Sequence, residues 1–292
     1  ATVCVLPRRL MERVRTTLVY VLLTLVTAVA LFPIGYMLLI AGGEGERFAE
    51  GGQTLFPETA GEMPGNLASN LDTVMTDGTL DFRRYLRNTL LVAILAVSGT
   101  VVSSAMVAYA FARVRWSGSK PLFMLMLATM MVPFPVIMVP LFTMFRELGL
   151  IGTFGPLWVP AWFGNAFSIF LMRQFFMTIP RELDDAARID GCGHFGIFRH
   201  IMLPLATPAL LVVALLHFMF VWNDFVGPLI FLSHRDQFTL ALGLQLFMSR
   251  LGTTPWHLLM SATTLMVGPV LVLFLLTQRS FVEGISTSGT KG

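Results

Sequence analysis

The sequence predicts an all-α integral membrane protein with six transmembrane helices. Two features of its composition point there: 55% of the 292 residues are hydrophobic, and only 13% are charged, at a mean hydropathy of +0.74. Soluble domains carry about 25% charged residues. The third observation is the spacing of charge. Six stretches contain no Lys, Arg, Asp or Glu: Thr16–Gly43, Asn88–Ala112, Pro121–Phe145, Leu148–Met172, Ile201–Asn223 and Leu251–Gln278. Each exceeds the roughly 20 apolar residues a helix needs to cross the hydrocarbon. A transmembrane β-barrel would alternate over about ten residues instead.

The first apolar run carries Pro33 and Gly35, which membrane helices tolerate. It is too long for the apolar core of a signal peptide and is read as a retained helix. Residues 42–87 form a loop holding eight acids from Glu44 to Asp81, with a short interfacial helix expected over Asn66–Met75. The second run collects Ser98, Gly99, Ser103, Ser104, Ala105, Ala108 and Ala110, small residues that let backbones approach closely. The third must break or kink, because Pro133, Pro135 and Pro140 each remove a backbone hydrogen bond. It is also rich in methionine, from Met124 to Met144. Trp158 and Trp162 read as interfacial anchors of the fourth.

Orientation follows from the basic residues. Thirteen lie on the side of both termini: Arg8, Arg9, Arg13, Arg15, Arg113, Arg115, Lys120, Arg173, Arg181, Arg188, Arg199, Arg279 and Lys291. Seven lie on the other: Arg47, Arg83, Arg84, Arg87, Arg146, Arg235 and Arg250. The excess puts both termini in the cytoplasm. The net charge of +3 is read as this flanking pattern, not as a nucleic-acid surface. Cys4 and Cys192 have no metal-type spacing, so neither a disulfide nor a metal site is expected.

Between the fourth and fifth runs lies a polar island. Pro180 suits a first helical turn, and Glu182, Asp184 and Asp185 then sit where the helix dipole favours acids. Leu183, Ala186, Ala187 and Asp190 share one face, and Asp184 and Asp185 are both within helical reach of Arg188. Gly191 is a natural stop. A second short helix follows over about His194–His200, presenting Phe195, Ile197 and Phe198, and Pro204 starts the next span. Four acids make a poor partner for anionic lipid. The island is therefore read as a surface for protein docking, with its two alanines leaving room for another chain.

Asp185-Ala186-Ala187, Gly191 and Ile201-x-Leu203-Pro204 resemble the EAA signature of permease subunits of bacterial ATP-binding-cassette importers. The spacing is the same (E-A-A, three residues, G, nine residues, I-x-L-P), with Asp185 where Glu is usual. Trp222-Asn223-Asp224 and the ending Val282-Glu283-Gly284 to Lys291-Gly292 resemble the carbohydrate branch, in particular the second, six-span maltose-type permease. The resemblance implies a type I importer permease architecture. Residues 1–15 would be a cytoplasmic segment, 16–279 the permease domain with external loop 42–87 and coupling-helix loop 173–204, and 280–292 a cytoplasmic tail. It implies an inner-membrane, non-enzymatic subunit that translocates a sugar or related polyol by ATP-driven alternating access. Its partners would be a second permease, two cytosolic ATPase subunits and an extracytoplasmic solute-binding protein. Asp185, Ala186, Ala187, Asp190, Gly191, Phe195, Leu203 and Pro204 would carry the ATPase coupling.

The chain has no P-loop of its own. Its only lysines, Lys120 and Lys291, follow Ser119 and Thr290, not the glycine that motif requires. ATP and Mg²⁺ are thus expected on the partner ATPase, with no cofactor or metal on this chain. Charges inside spans are functional hypotheses by default. That singles out Asp224, with Asn223 beside it and His217 two turns earlier, as a candidate solute pathway. Two readings stand for Asp224: hydrogen bonding to a polar solute near the external mouth, and the more ordinary bond between helices or subunits. A self-sufficient secondary transporter is the rival function, and near-absence of buried charge disfavours it. A membrane enzyme is disfavoured by the lack of a catalytic constellation.

Overall fold

The structure, a computed structural model, describes residues 8–43, 63–77, 81–249 and 254–286. Helices are the regular elements throughout the described residues: α1 (Arg8–Ala41), α2 (Met63–Thr76), α3 (Phe82–Arg113), α4 (Ser119–Thr129), α5 (Phe134–Glu147), α6 (Ala166–Thr178), α7 (Glu182–Ile189), α8 (Thr207–Trp222), α9 (Val226–Phe231), α10 (Leu240–Ser249) and α11 (Trp256–Ser286). Short helical turns fill Gly155–Phe163 and His194–Leu205. Cys4, Arg47, Arg250 and Lys291 lie outside the described residues, as does most of the acidic part of loop 42–87.

The chain divides into two compact units, residues 1–74 with 247–265, and residues 75–246 with 266–292. In the first, α1 is apolar and exposed from Glu12 to Pro33, becoming covered towards Ala41. A helix this apolar faces lipid or a partner chain. Asn70 of α2 ties its end down, donating to the carbonyls of Ala41 and Gly43 at 2.8 and 3.1 Å. Ser261 of α11 also reaches the Ala41 carbonyl, at 3.3 Å.

The second unit is organised around α3. Inside a bilayer lipid tails are as apolar as leucine, so helices associate through close packing. The small residues of α3 supply it: Gly99, Ser104, Ala105, Ala108 and Ala112 are buried. Against them pack α6 and α8, through Ile169, Met172 and Phe176 of α6 and Ala209 and Val213 of α8. Ser98 and Ala110, expected on the same packed face, are only partly covered or exposed.

Among the described residues three single helices are long and apolar enough to span a bilayer: Glu12–Ala41, Phe82–Arg113 and Trp256–Gln278. Two bent pairs bring the number to five: α4 with α5, at 97°, and His194–Leu205 with α8, at 76°. The first bend is the break expected at Pro133, whose N–H is missing where the helix would continue. The expected count of six is not confirmed, because residues 148–172 form no continuous helix of that length. Gly152 and Gly164 have positive φ, and Gly155, Pro156 and Pro160 cut the interval into a turn, a 3₁₀ segment (Val159–Phe163) and the start of α6. A gap in charge measures hydropathy but not helix breakers. Nor is Trp162 a simple interfacial anchor: its indole covers Gly99 and donates from Nε1 to the Leu95 carbonyl at 3.1 Å.

The helices run past the ends of the apolar stretches. Residues 8–15 belong to α1, residues 280–286 (with Val282-Glu283-Gly284) continue α11, and Arg173 lies within α6. The interfacial helix expected over Asn66–Met75 is α2.

Candidate coupling surface and solute cavity

The polar island folds onto the end of the bundle where α3 stops. Helix α7 carries Glu182, Asp184 and Asp185 in its first turn and Arg188 in its last, in keeping with the helix dipole. It ends as the sequence requires. Gly191 takes φ 85°, the Gly191 N–H donates to the Arg188 carbonyl at 3.0 Å, and the Cys192 N–H donates to the Ala187 carbonyl at 2.8 Å. This paired closure needs a residue in the left-handed region.

The two alanines do not share a free face. Ala187 is buried in the core with Phe176, Ile197 and Met202, whereas Ala186 is exposed. Asp184 is also buried, and its partner is not Arg188. Its Oδ2 lies 3.3 Å from Nη1 of Arg113, at the end of α3, with side chains only 7% and 2% exposed respectively. Arg113 Nη2 also donates to the carbonyls of Phe176 and Ile179. Asp185 alone pairs with Arg188, at 3.6 Å and in the open. Tyr109, one turn earlier on α3, donates to the His194 carbonyl at 3.2 Å and stacks edge-on with Phe176. Sequence reading missed the roles of Arg113, Asp184 and Tyr109. Arg113 counted only as a flanking charge, and nothing local to it points to α7.

What remains outward is a platform. Leu183 is 41% exposed, Ile189 86% and Phe195 72%, with Ala186, Asp185, Asp190 and Gly191 between them. Of the proposed coupling residues, Asp185, Ala186, Asp190, Gly191, Phe195 and Pro204 are exposed, Leu203 is half-buried and Ala187 is inside. Past Phe195 the chain makes a π turn over Phe198–Met202, then bends at Ala206 into α8.

A second feature is a cavity of about 470 Å³ in the same unit, walled by α3, α5, the segment 156–165, the end of α8 and α9. Thr89 of its lining accepts from the Leu240 N–H at 2.8 Å, and Ser103 of α3 holds the wall by donating to the Ala161 carbonyl at 3.1 Å. His217 and Asp224 both line it, as the sequence spacing expects. Asn223 does not: it is exposed and donates to the Met219 carbonyl at 2.8 Å. Asp224 sits beyond the end of α8, where its Oδ1 accepts from the Gly227 N–H at 3.0 Å and fixes the start of α9. Thr100 and Thr239 add hydroxyl oxygens that are buried without a hydrogen-bond partner. The lining is thus mostly apolar, with a few polar groups that a hydroxyl-bearing molecule can pair with.

Residues 100–287 match the family described as the binding-protein-dependent transport system inner membrane component. The chain is 33% identical over 265 residues to the arabinooligosaccharides transport system permease protein AraQ of Halalkalibacterium halodurans, covering 90% of this chain and 92% of that one. It is 30% identical over 270 residues to the trehalose/maltose transport system permease protein MalG of Thermococcus litoralis, covering 92% and 94%. Its fold is similar, at a TM-score of 0.79 and 23% identity, to a chain in the crystal structure of a bacterial ABC transporter involved in the import of the acidic polysaccharide alginate, covering 95% of this chain and 99% of that one. An apolar helical bundle with an exposed helix–turn–helix between two of its spans therefore belongs to the binding-protein-dependent transport system inner membrane components, and the chain is a permease of an ABC importer.

Proposed function

We propose that this permease carries a sugar or related polyol, and that the platform of α7 and Phe195 is where a cytosolic ATPase docks. The observation that carries the docking reading is the outward exposure of Leu183, Ile189 and Phe195 on an element whose other side is locked into the core. Large apolar groups held rigidly in the open, with acids between them, fit a protein partner better than a lipid surface. The carbohydrate reading is supported by the solutes named for the two similar permeases, and by the unpaired hydroxyls of Thr100 and Thr239 in the cavity lining.

The working assembly pairs this chain with a second permease, two ATPase subunits that bind ATP and Mg²⁺, and an extracytoplasmic binding protein that delivers solute. The excess of basic residues near the termini and the 173–204 loop supports a cytoplasmic position for both. ATP-driven closure of the ATPase pair draws the coupling helices together and opens the permeases outward. Hydrolysis resets them.

The test is co-purification and uptake. Ala186→Glu places a charge in the middle of the exposed platform without touching the core, and it is expected to abolish ATPase association and import. ATPase association and uptake at the wild-type level would sink the docking reading. For the solute, uptake of labelled arabino-oligosaccharide, maltose and glycerol phosphate by the reconstituted importer is compared. Transport of none of the sugars would remove the carbohydrate assignment.

A further inference from the structure

We propose that Arg113 is a positioning residue for energy coupling. It clamps α7 to α3 and α6, the two helices that lead from beneath α7 towards the cavity without a sharp bend, so that movement of the platform is passed on to the cavity wall. The inference rests on the docking role given to α7 above.

Arg113 is a joint of three elements. Its backbone ends α3, its Nη1 faces Asp184 of α7 at 3.3 Å, and its Nη2 donates to the carbonyls of Phe176 and Ile179, at the end of α6 and just past it. Helix α3 is continuous from Phe82 to Arg113, and Thr89, Val92 and Thr100 on it line the cavity. Helix α6 starts next to the cavity-lining Asn165. The other routes are interrupted, by 97° between α4 and α5 and by 76° between the π turn and α8. A push on α7 therefore reaches the cavity along α3 and α6, and Arg113 holds both.

The chemistry of the joint argues for position over stability. Removing two charges from water is expensive, and an apolar pair of similar size serves stability as well or better. This pair is moreover incompletely satisfied: Nε of Arg113 and Oδ1 of Asp184 are buried without a hydrogen-bond partner. What an ion pair supplies that an apolar contact does not is register. Sliding α7 by one residue strands a buried carboxylate beside a buried guanidinium that has lost it, whereas apolar side chains slide freely.

The experiment uses the reconstituted importer with its ATPase and binding protein. The measured quantity is solute imported per ATP hydrolysed, alongside the amount of assembled complex. The apolar double variant Arg113→Met/Asp184→Met is expected to assemble and to hydrolyse ATP, with import per ATP falling about tenfold, inside the usual range of coupling between sites. Asp184→Asn keeps the shape and removes the charge, and it is expected to lower the same ratio. A ratio within twofold of wild type in an assembled variant overturns the proposal. Failure of Asp184→Asn to assemble at all also overturns it, by showing the pair to be purely structural. Ala186→Glu separates the two levels. If it couples normally, the docking role of α7 is wrong; if it does not, while Asp184→Asn couples normally, only the joint is wrong.

Discussion

Gly99 is where a single methyl group should have the largest effect for its size. A Cβ built there lies 2.6 Å from Trp162 Nε1 and 2.7 Å from its Cγ, with Cδ1 also in the way. Ordinary carbon contacts lie at about 3.5–4.0 Å, so the ring must retreat by roughly 1 Å. Rotation about χ2 leaves Cγ where it is, so relief requires a new χ1 rotamer for a ring already hemmed in, or movement of the 3₁₀ segment itself. That segment is pinned by Ser103, which donates to the Ala161 carbonyl at 3.1 Å. The retreat also stretches the 3.1 Å bond from Nε1 to the Leu95 carbonyl beyond hydrogen-bonding range. Overpacking costs about 1–3 kcal/mol and the lost bond about 0.5–1.5 kcal/mol, so Gly99→Ala should destabilise the protein by roughly 1.5–4.5 kcal/mol. Denaturant unfolding of the purified protein in detergent measures it. The control is the same change in a Trp162→Ala background. With the ring gone, alanine in mid-helix should be favoured over glycine by about 0.5–1 kcal/mol, so the sign reverses. If Gly99→Ala stabilises the protein with Trp162 present, the close approach of α3 to the cavity wall is wrong.

Two further outcomes follow from the same geometry. At Gly191 no atom lies within 4 Å of an added Cβ, so the cost of substitution is conformational alone; Gly191→Ala should cost about 1–2 kcal/mol and Gly191→Asn less, and thermal unfolding that ranks alanine above glycine would contradict the helix closure described. Asp224→Ala removes the acceptor for the Gly227 N–H and should cost about 1 kcal/mol, while Asp224→Asn keeps an acceptor and the stability; comparing uptake by the two variants separates a role in holding α9 from a role in the pathway, since only the latter makes Asp224→Asn defective too.

The fold was legible where one local rule governs it. The proline break in the third apolar stretch and the glycine stop at Gly191 each depend on a residue and its immediate neighbours. The fourth stretch is not one continuous helix although its breakers stand in the sequence, because a gap in charge says nothing about Gly164 or Pro160. The polar island was legible as a location and not as a face. Helical periodicity puts Ala186 and Ala187 side by side, but which of them turns inward is decided by the helices that meet beneath α7. The Arg113–Asp184 pair was invisible for the same reason, since nothing between the two positions marks them as partners. In the cavity, His217 lies on α8, whereas Asp224 reaches the lining from just past its end, where it caps α9. Asn223, at the helix end itself, turns away and bonds back to the Met219 carbonyl.

The π turn has a consequence for how the loop is built. Ile197 and Met202 are both almost fully buried, at 1% and 0% exposure, although they are five residues apart. In an α-helix five residues advance about 500°, leaving the two side chains about 140° out of phase. The wider turn over Phe198–Met202 absorbs one residue and returns Met202 to the inner side, from which Ala206, Ala209 and Val213 continue at spacings of four, three and four. The turn therefore acts as a phase corrector between the exposed platform and α8, one of the helices that line the cavity. A one-residue deletion inside it converts it to a regular α turn with both ends still in phase. The same deletion within the helical turn His194–Ile197 changes the phase of Phe195 against the bundle.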